Sequence, residues 1–262
     1  MRLGKWLAAL TAALTGTCAC ADEFRTEAGY LRISIDGHSY RLESRIIKRA
    51  DIEGRLPIAL ITHGMADSQA QRLNQHTSSI ETQARDFAAR GYLAVAVMRR
   101  GFGSSDGPIA ASSSCPVKSY VERFNADADD LQGALDSIAK RPDADSSRSI
   151  AVGVSAGGPA VIALAARNPK GLTAVVSVSG GLVSLACPKE DALIDAYRAF
   201  GEASRVPQLW VYARNDSLFG PALVEKLREA SLDGGADVKL INFEPMGRDG
   251  HDIFSIPNAR LA

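Results

Sequence analysis

Between Arg148 and Gly158 the chain reads RSIAVGVSAGG, an apolar β-branched run (Ile150 to Val154) that breaks into Gly153-Val154-Ser155-Ala156-Gly157. The helix-compatible segment PAVIALAARNP follows directly. Strand, sharp turn and helix in that order lift one serine off the carboxyl end of the strand, with a helix N-terminus behind it. Gly153 and Gly157 are then needed where a Cβ would strike the neighbouring strand or helix. A hydroxyl held this way suits acyl transfer, in which a covalent acyl-enzyme divides one difficult hydrolysis into two easier steps.

A serine hydroxyl is a weak nucleophile at neutral pH and needs a positioned base, usually a histidine oriented by a carboxylate. Four histidines are available. His38 lies in a hairpin turn and His76 opens a helical region, so both are expected on the surface. His63 ends a strand, but the glycine after it suggests a backbone role. His251 follows the last strand, beside Gly250, where the chain order Ser, Asp, His requires a base. For the acid, Asp216 comes just after the strand Val206 to Ala213. Asp249 and Asp252 are nearer in sequence, but such neighbours rarely reach the ring in the orienting geometry, and Asp216 is favoured. Two backbone N–H groups must also face the developing oxyanion. Ala156, at the helix N-terminus, supplies one, and Met65, after His63-Gly64, can supply the other. This chemistry calls for no cofactor or metal.

These residues need a scaffold. Leu31 to Ile35 and Tyr40 to Arg49 alternate around Asp36-Gly37 and read as a hairpin. Leu56 to Thr62, Tyr92 to Met98, Leu172 to Val178, Val206 to Ala213 and Val238 to Phe243 are apolar runs of the kind buried in a parallel sheet. Helical spacing marks Ile80 to Arg90, Ser119 to Lys140, Asp191 to Phe200 and Pro221 to Ser231. The fold class is therefore α/β, a mostly parallel sheet with helices on both faces and an N-terminal antiparallel hairpin at one edge. Reactive groups in such sheets gather at the carboxyl ends of strands.

Thirty basic and 30 acidic side chains cancel, with no basic stripe, so the expected partner is a small molecule and not nucleic acid or an anionic membrane. Stable membrane insertion is not expected, and the oligomeric state is left open. The first 21 residues read as a secretory signal peptide: Arg2 and Lys5, an apolar stretch from Trp6 to Leu14, and Ala19-Cys20-Ala21 before the cut. A lipid anchor on Cys18 or Cys20 is the rival, disfavoured because no leucine stands three residues upstream of either. An exported chain, periplasmic or secreted, would keep Cys115 and Cys187, which are expected to pair in an oxidising compartment. Residues 22–262 are expected to form one domain, with a short cap-like excursion around 180–204.

Taken together, Leu60-Ile61-Thr62-His63-Gly64, the run Arg99 to Gly107, Gly153 to Gly157, Tyr212 to Asp216 and Gly250-His251 resemble the α/β-hydrolase superfamily. More narrowly they resemble its dienelactone-hydrolase and prolyl-oligopeptidase-like branch, of exported bacterial type. The resemblance implies Ser155 as nucleophile, Asp216 as acid and His251 as base, with the Arg100 to Ser105 turn supporting the oxyanion loop. Dienelactone hydrolases use cysteine where this chain has Ser155, so their lactone substrate does not carry over. Members usually continue past the histidine with a covering helix, which the dozen residues after His251 are too few to supply. The activity implied is hydrolysis of an ester, thioester or amide. A peptidase, or a non-catalytic binding protein on the same fold, are the alternatives.

Overall fold

The computed structural model describes residues 23–66, 68–109, 117–182 and 190–256. Its centre is an eight-stranded sheet in the order β1-β2-β4-β3-β5-β6-β7-β8. Strands β1 (Phe24–Ile35) and β2 (His38–Arg49) pair antiparallel from Phe24 with Arg49 to Ile35 with His38. Their turn is Asp36-Gly37, with φ of 50° and 78°, the primed geometry that matches the twist of a tight hairpin. β2 pairs antiparallel with β4 (Leu93–Val97). From there the sheet is parallel, through β3 (Leu56–Thr62), β5 (Ala144–Val154), β6 (Leu172–Val178), β7 (Gln208–Ala213) and β8 (Val238–Phe243).

Helices cover both faces. On one lie α3 (Val117–Ile138), α4 (Gly157–Ala165), α5 (Glu190–Ala203) and α6 (Pro221–Asp233), sharing a core with Ile58, Leu60, Val95 and Val175. α3 turns Tyr120, Phe124, Ala128, Leu131, Leu135 and Ile138 inward, the three- and four-residue steps of one helical face. All nine residues of α4 are buried, which fixes the helix behind the serine on every side. The opposite face carries α2 (Glu81–Ala89) and a 3-10 turn, Gly250–Ser255, over Ile47, Ile61, Ala94, Ala96, Val152 and Val211. Toward β8 that face is thinner, and Val176, Leu209 and Ile241 are only partly buried. Among the described residues no helix is long and apolar enough to cross a membrane.

Two elements extend the sequence reading. Gln69–Leu73 is a short helix, α1, in a stretch to which the sequence assigned no element, and β1 begins at Phe24 instead of Leu31. Residues 1–21, read above as a signal peptide, with Cys18 and Cys20 among them, lie outside the described residues. So do Cys115, Cys187 and the chain beyond Ile256. Of the excursion around 180–204, the described part ends in α5, packed against α3 and α6.

Candidate active site

β5 delivers the serine. Ser155 has φ of 52°, a conformation that L-residues seldom adopt and that a firm surround must hold. Its N–H donates to the Val178 carbonyl of β6, and its own carbonyl accepts from the N–H groups of Gly158 (2.8 Å) and Gly181 (3.1 Å). A Cβ on Gly153 would sit on the Gly157 carbonyl, and one on Gly157 would come within 2.6 Å of the His63 carbonyl. The elbow is thus clamped between its own helix and the end of β3. The Gly64 position abuts Ser155 directly, since a Cβ there would lie 2.9 Å from Ser155 Cβ. The chain through Gly64 and Met65 therefore passes beside the serine, while Ala156 opens α4, where the first N–H groups have no intrahelical acceptor.

β7 and the 3-10 turn deliver the other two side chains. His251 Nε2 stands 3.1 Å from Ser155 Oγ, and its Nδ1 is 3.2 Å from each oxygen of Asp216. A carboxylate only accepts, so the ring proton sits on Nδ1 and Nε2 is free to accept from the serine hydroxyl. The Asp216 side chain is fully buried, and its Oδ1 also accepts from the N–H groups of Leu218 and Phe219, both at 2.9 Å. Phe219 lies against the imidazole, with ring centroids 5.6 Å apart. Burial pushes the His251 pKa down, but the hydrogen bond and charge of Asp216, helped by Asp249 and Asp252, outweigh it and hold the value above 6.5.

Asp249 and Asp252 do not touch the ring. Asp249 instead ties the two loops together: it accepts from His251 N–H (2.9 Å), Ser217 N–H (3.0 Å) and Ser217 Oγ (2.5 Å). Asn215 adds a second tie, exchanging hydrogen bonds with the backbone of Met246. The signal for Asp249 was legible, because an Asp before Gly-His is a typical N-cap.

The remaining histidines lie elsewhere. His38 is exposed on the hairpin, whereas His76, also exposed, has its Nδ1 2.7 Å from Glu43. Glu43 is a hub: it also accepts from the backbone and hydroxyl of both Thr77 and Ser104. Burial raises its pKa, but those bonds overcome it and bring the carboxyl to about 2. His63 is wholly buried, both ring nitrogens meeting backbone: Arg99 N–H at Nε2 (3.0 Å) and Gly64 O at Nδ1 (2.7 Å).

The stretch after β3, expected to form an oxyanion loop, is met from the turn expected to support it, Arg100 to Ser105. Phe102 does belong to it, 4.3 Å from the His63 ring, but the direct bonds come from Arg99, whose Nη1 donates to the His63 carbonyl (2.7 Å) and Thr62 Oγ1 (2.9 Å). Arg100 turns the other way and pairs with Asp130. Arg99 is fully buried beside Asp127, a placement that the sequence of a glycine-rich loop does not reveal.

An eight-stranded, mostly parallel sheet with a strained serine elbow at the end of its fifth strand defines a serine hydrolase of the α/β-hydrolase fold. Residues 58–211, more than half of the chain, match the family described as serine aminopeptidase, S33, and the chain belongs to it. Similar solved structures include a dienelactone hydrolase-like promiscuous phosphotriesterase from metagenomic libraries (21% identity, 84% of this chain and 82% of that one, TM-score 0.57). An acetyl xylan esterase from Thermoanaerobacterium sp. is similar at 18% identity (86% and 78% covered, TM-score 0.54). The acylaminoacyl peptidase of Pyrococcus horikoshii is matched over 90% of this chain but 39% of its own length (18% identity, TM-score 0.60). At these identities the likeness is one of fold. No curated protein matches the chain.

Proposed function

We propose that the protein hydrolyses a carboxylic ester, or a thioester or amide of the same geometry, through an acyl-enzyme on Ser155. His251 Nε2 takes the hydroxyl proton as Oγ attacks the carbonyl carbon, and Asp216 steadies the imidazolium. The oxyanion is received by the N–H groups of Met65 and Ala156. Collapse of the tetrahedral intermediate breaks the bond to the leaving group, which departs with the proton from His251. Water then repeats the sequence, releasing the acid and restoring Ser155. The reading rests on the unbroken chain Asp216, His251, Ser155, at 3.2 and 3.1 Å. Ser155→Ala should lower turnover by on the order of a millionfold while leaving the fold intact, and should lose labelling by a fluorophosphonate. Substantial turnover in that variant would end the assignment.

A second reading, aminopeptidase, is favoured by the family match. An open cavity of roughly 570 Å³ lies beside Met65, lined by Ala66, Ala70, Gln71, Asn74, Gln75 and Ser79. Comparing p-nitrophenyl acetate with an aminoacyl p-nitroanilide decides between the two. Export, and pairing of Cys115 with Cys187, rest on the sequence. A mature protein beginning at Asp22, with no free thiols, is the expected form.

A further inference from the structure

The oxyanion donor assigned to Met65 belongs to a peptide group whose carbonyl is that of Gly64. Glycine restrains its own peptide planes weakly, so a rotation at this point would turn the Met65 N–H away from Ser155. Two neighbouring groups oppose such a rotation. The His63 carbonyl is held by the Arg99 guanidinium at 2.7 Å, and the Gly64 carbonyl is held by His63 Nδ1 at 2.7 Å. The direction of the second bond is fixed by a third. Arg99 N–H can only donate, and it does so to His63 Nε2 at 3.0 Å, so Nε2 is bare and the ring proton is on Nδ1.

We propose that His63 is a positioning residue of the oxyanion hole: its Nδ1–H binds the Gly64 carbonyl, orienting and polarising the peptide group whose N–H is that of Met65. This rests on the reading of Met65 as an oxyanion donor. A donor on the carbonyl of an amide makes its N–H a better donor in turn, because hydrogen bonds in a chain reinforce one another. The device requires a neutral ring with one fixed tautomer. Burial, followed by the charge of Arg99, pushes the His63 pKa well below 6.5, and the Phe102 ring packs against it, tilted by 55°. No other described histidine has both ring nitrogens on backbone groups. His63 touches no reacting atom, and its effect passes through the backbone.

The test begins with the wild-type full chain. Long-range proton–nitrogen NMR on histidine-labelled protein should show His63 protonated on Nδ1 alone, with no titration across neutral pH. A proton on Nε2, or a titrating ring, overturns the proposal without any variant having to fold. Two substitutions then separate the ring's contacts. A Gln side-chain terminus reaches the Nε2 position, keeping an acceptor for Arg99 N–H, whereas an Asn amide reaches the Nδ1 position and can still donate to Gly64 O. With p-nitrophenyl acetate, H63Q should lose about tenfold in kcat at unchanged KM, short of the 10²–10³ for deleting a whole oxyanion donor. H63N should recover most of that loss. Equal losses in the two variants, with KM rising in step, mark a merely structural histidine and overturn it. Ser155→Ala keeps the two ideas apart: if it stays active the acyl-enzyme reading fails, whereas a wrong His63 tautomer beside an inactive Ser155→Ala sinks only the present inference.

Discussion

Ser155 and His251, the proposed nucleophile and its base, are held by different physics. Ser155 is fixed by steric closure: glycines at 153 and 157 leave no room to move, and α4 behind them is buried on every side. His251 and Asp216 stand on two loops that are fixed by polar bonds, those of Asp249, Asn215 and the amides of Leu218 and Phe219. Packing sets position to within the small free space of a protein interior but contributes no charge. Hydrogen bonds set position and also tune basicity. The side proposed to carry a positive charge during the reaction is the side built from bonds that respond to charge.

Each side can be broken separately. Asp216→Asn should reduce kcat on the order of 10⁴-fold, because an amide leaves the imidazole in the wrong tautomer with no counter-charge. Thermal unfolding should change far less than activity, and a loss under tenfold would mean that another carboxylate orients the ring. Gly153→Ala attacks the packed side, where the added methyl meets backbone that cannot swing away. Stability should fall by about 3 kcal/mol, read as a lower urea midpoint. A fall under about 1 kcal/mol would show that α4 slides to make room.

Smaller effects sharpen the contrast. The acid limb of the pH profile of kcat/KM should reflect a His251 pKa above 6.5, since the base must be neutral to act. Asp249→Asn removes a negative charge that favours the imidazolium, so that limb should move to lower pH, with kcat down on the order of tenfold as the two loops lose their tie. An unmoved limb would confine Asp249 to a structural part. Acid itself is the mildest probe. Glu43 and Asp249 both have their carboxyl pKa lowered to about 2, Asp249 chiefly by the Ser217 hydroxyl. The stabilisation they contribute is complete above ordinary carboxylate values and fades as pH falls toward about 2. Circular dichroism in that window should show Glu43→Gln losing less on acidification than wild type, because its share is already gone. The glycine elbow has nothing to titrate.

The sequence makes the packed side legible and the polar side only partly so. Leu56–Thr62, Leu172–Val178 and Val238–Phe243 are strands at the bounds their apolar runs suggest; burial on both faces gives the first a continuous signature, whereas of the last only Val238 is buried. Gln69–Leu73 carries no such signature, having no buried residue, and is held by a capping box between Ser68 and Gln71. The first half of β1 is exposed and owes its form to pairing with β2, a long-range bond that local composition does not encode. Ser155, His251 and Asp216 stand out because chain order restricts them. Arg99, Glu43 and His63 do not, since what matters about each is a partner 33 to 61 residues away, or a burial that their residue types usually avoid.

The wide sequence spacing of the site has a consequence for the order in which a new chain becomes competent. Ser155 lies on a central strand flanked by β3 and β6, while its partner in the 3.1 Å contact comes 96 residues later, beyond β8. The elbow holds an oriented hydroxyl, but the proposed base comes only with the last 3-10 turn, so hydrolysis would require the chain to be complete through Ser255.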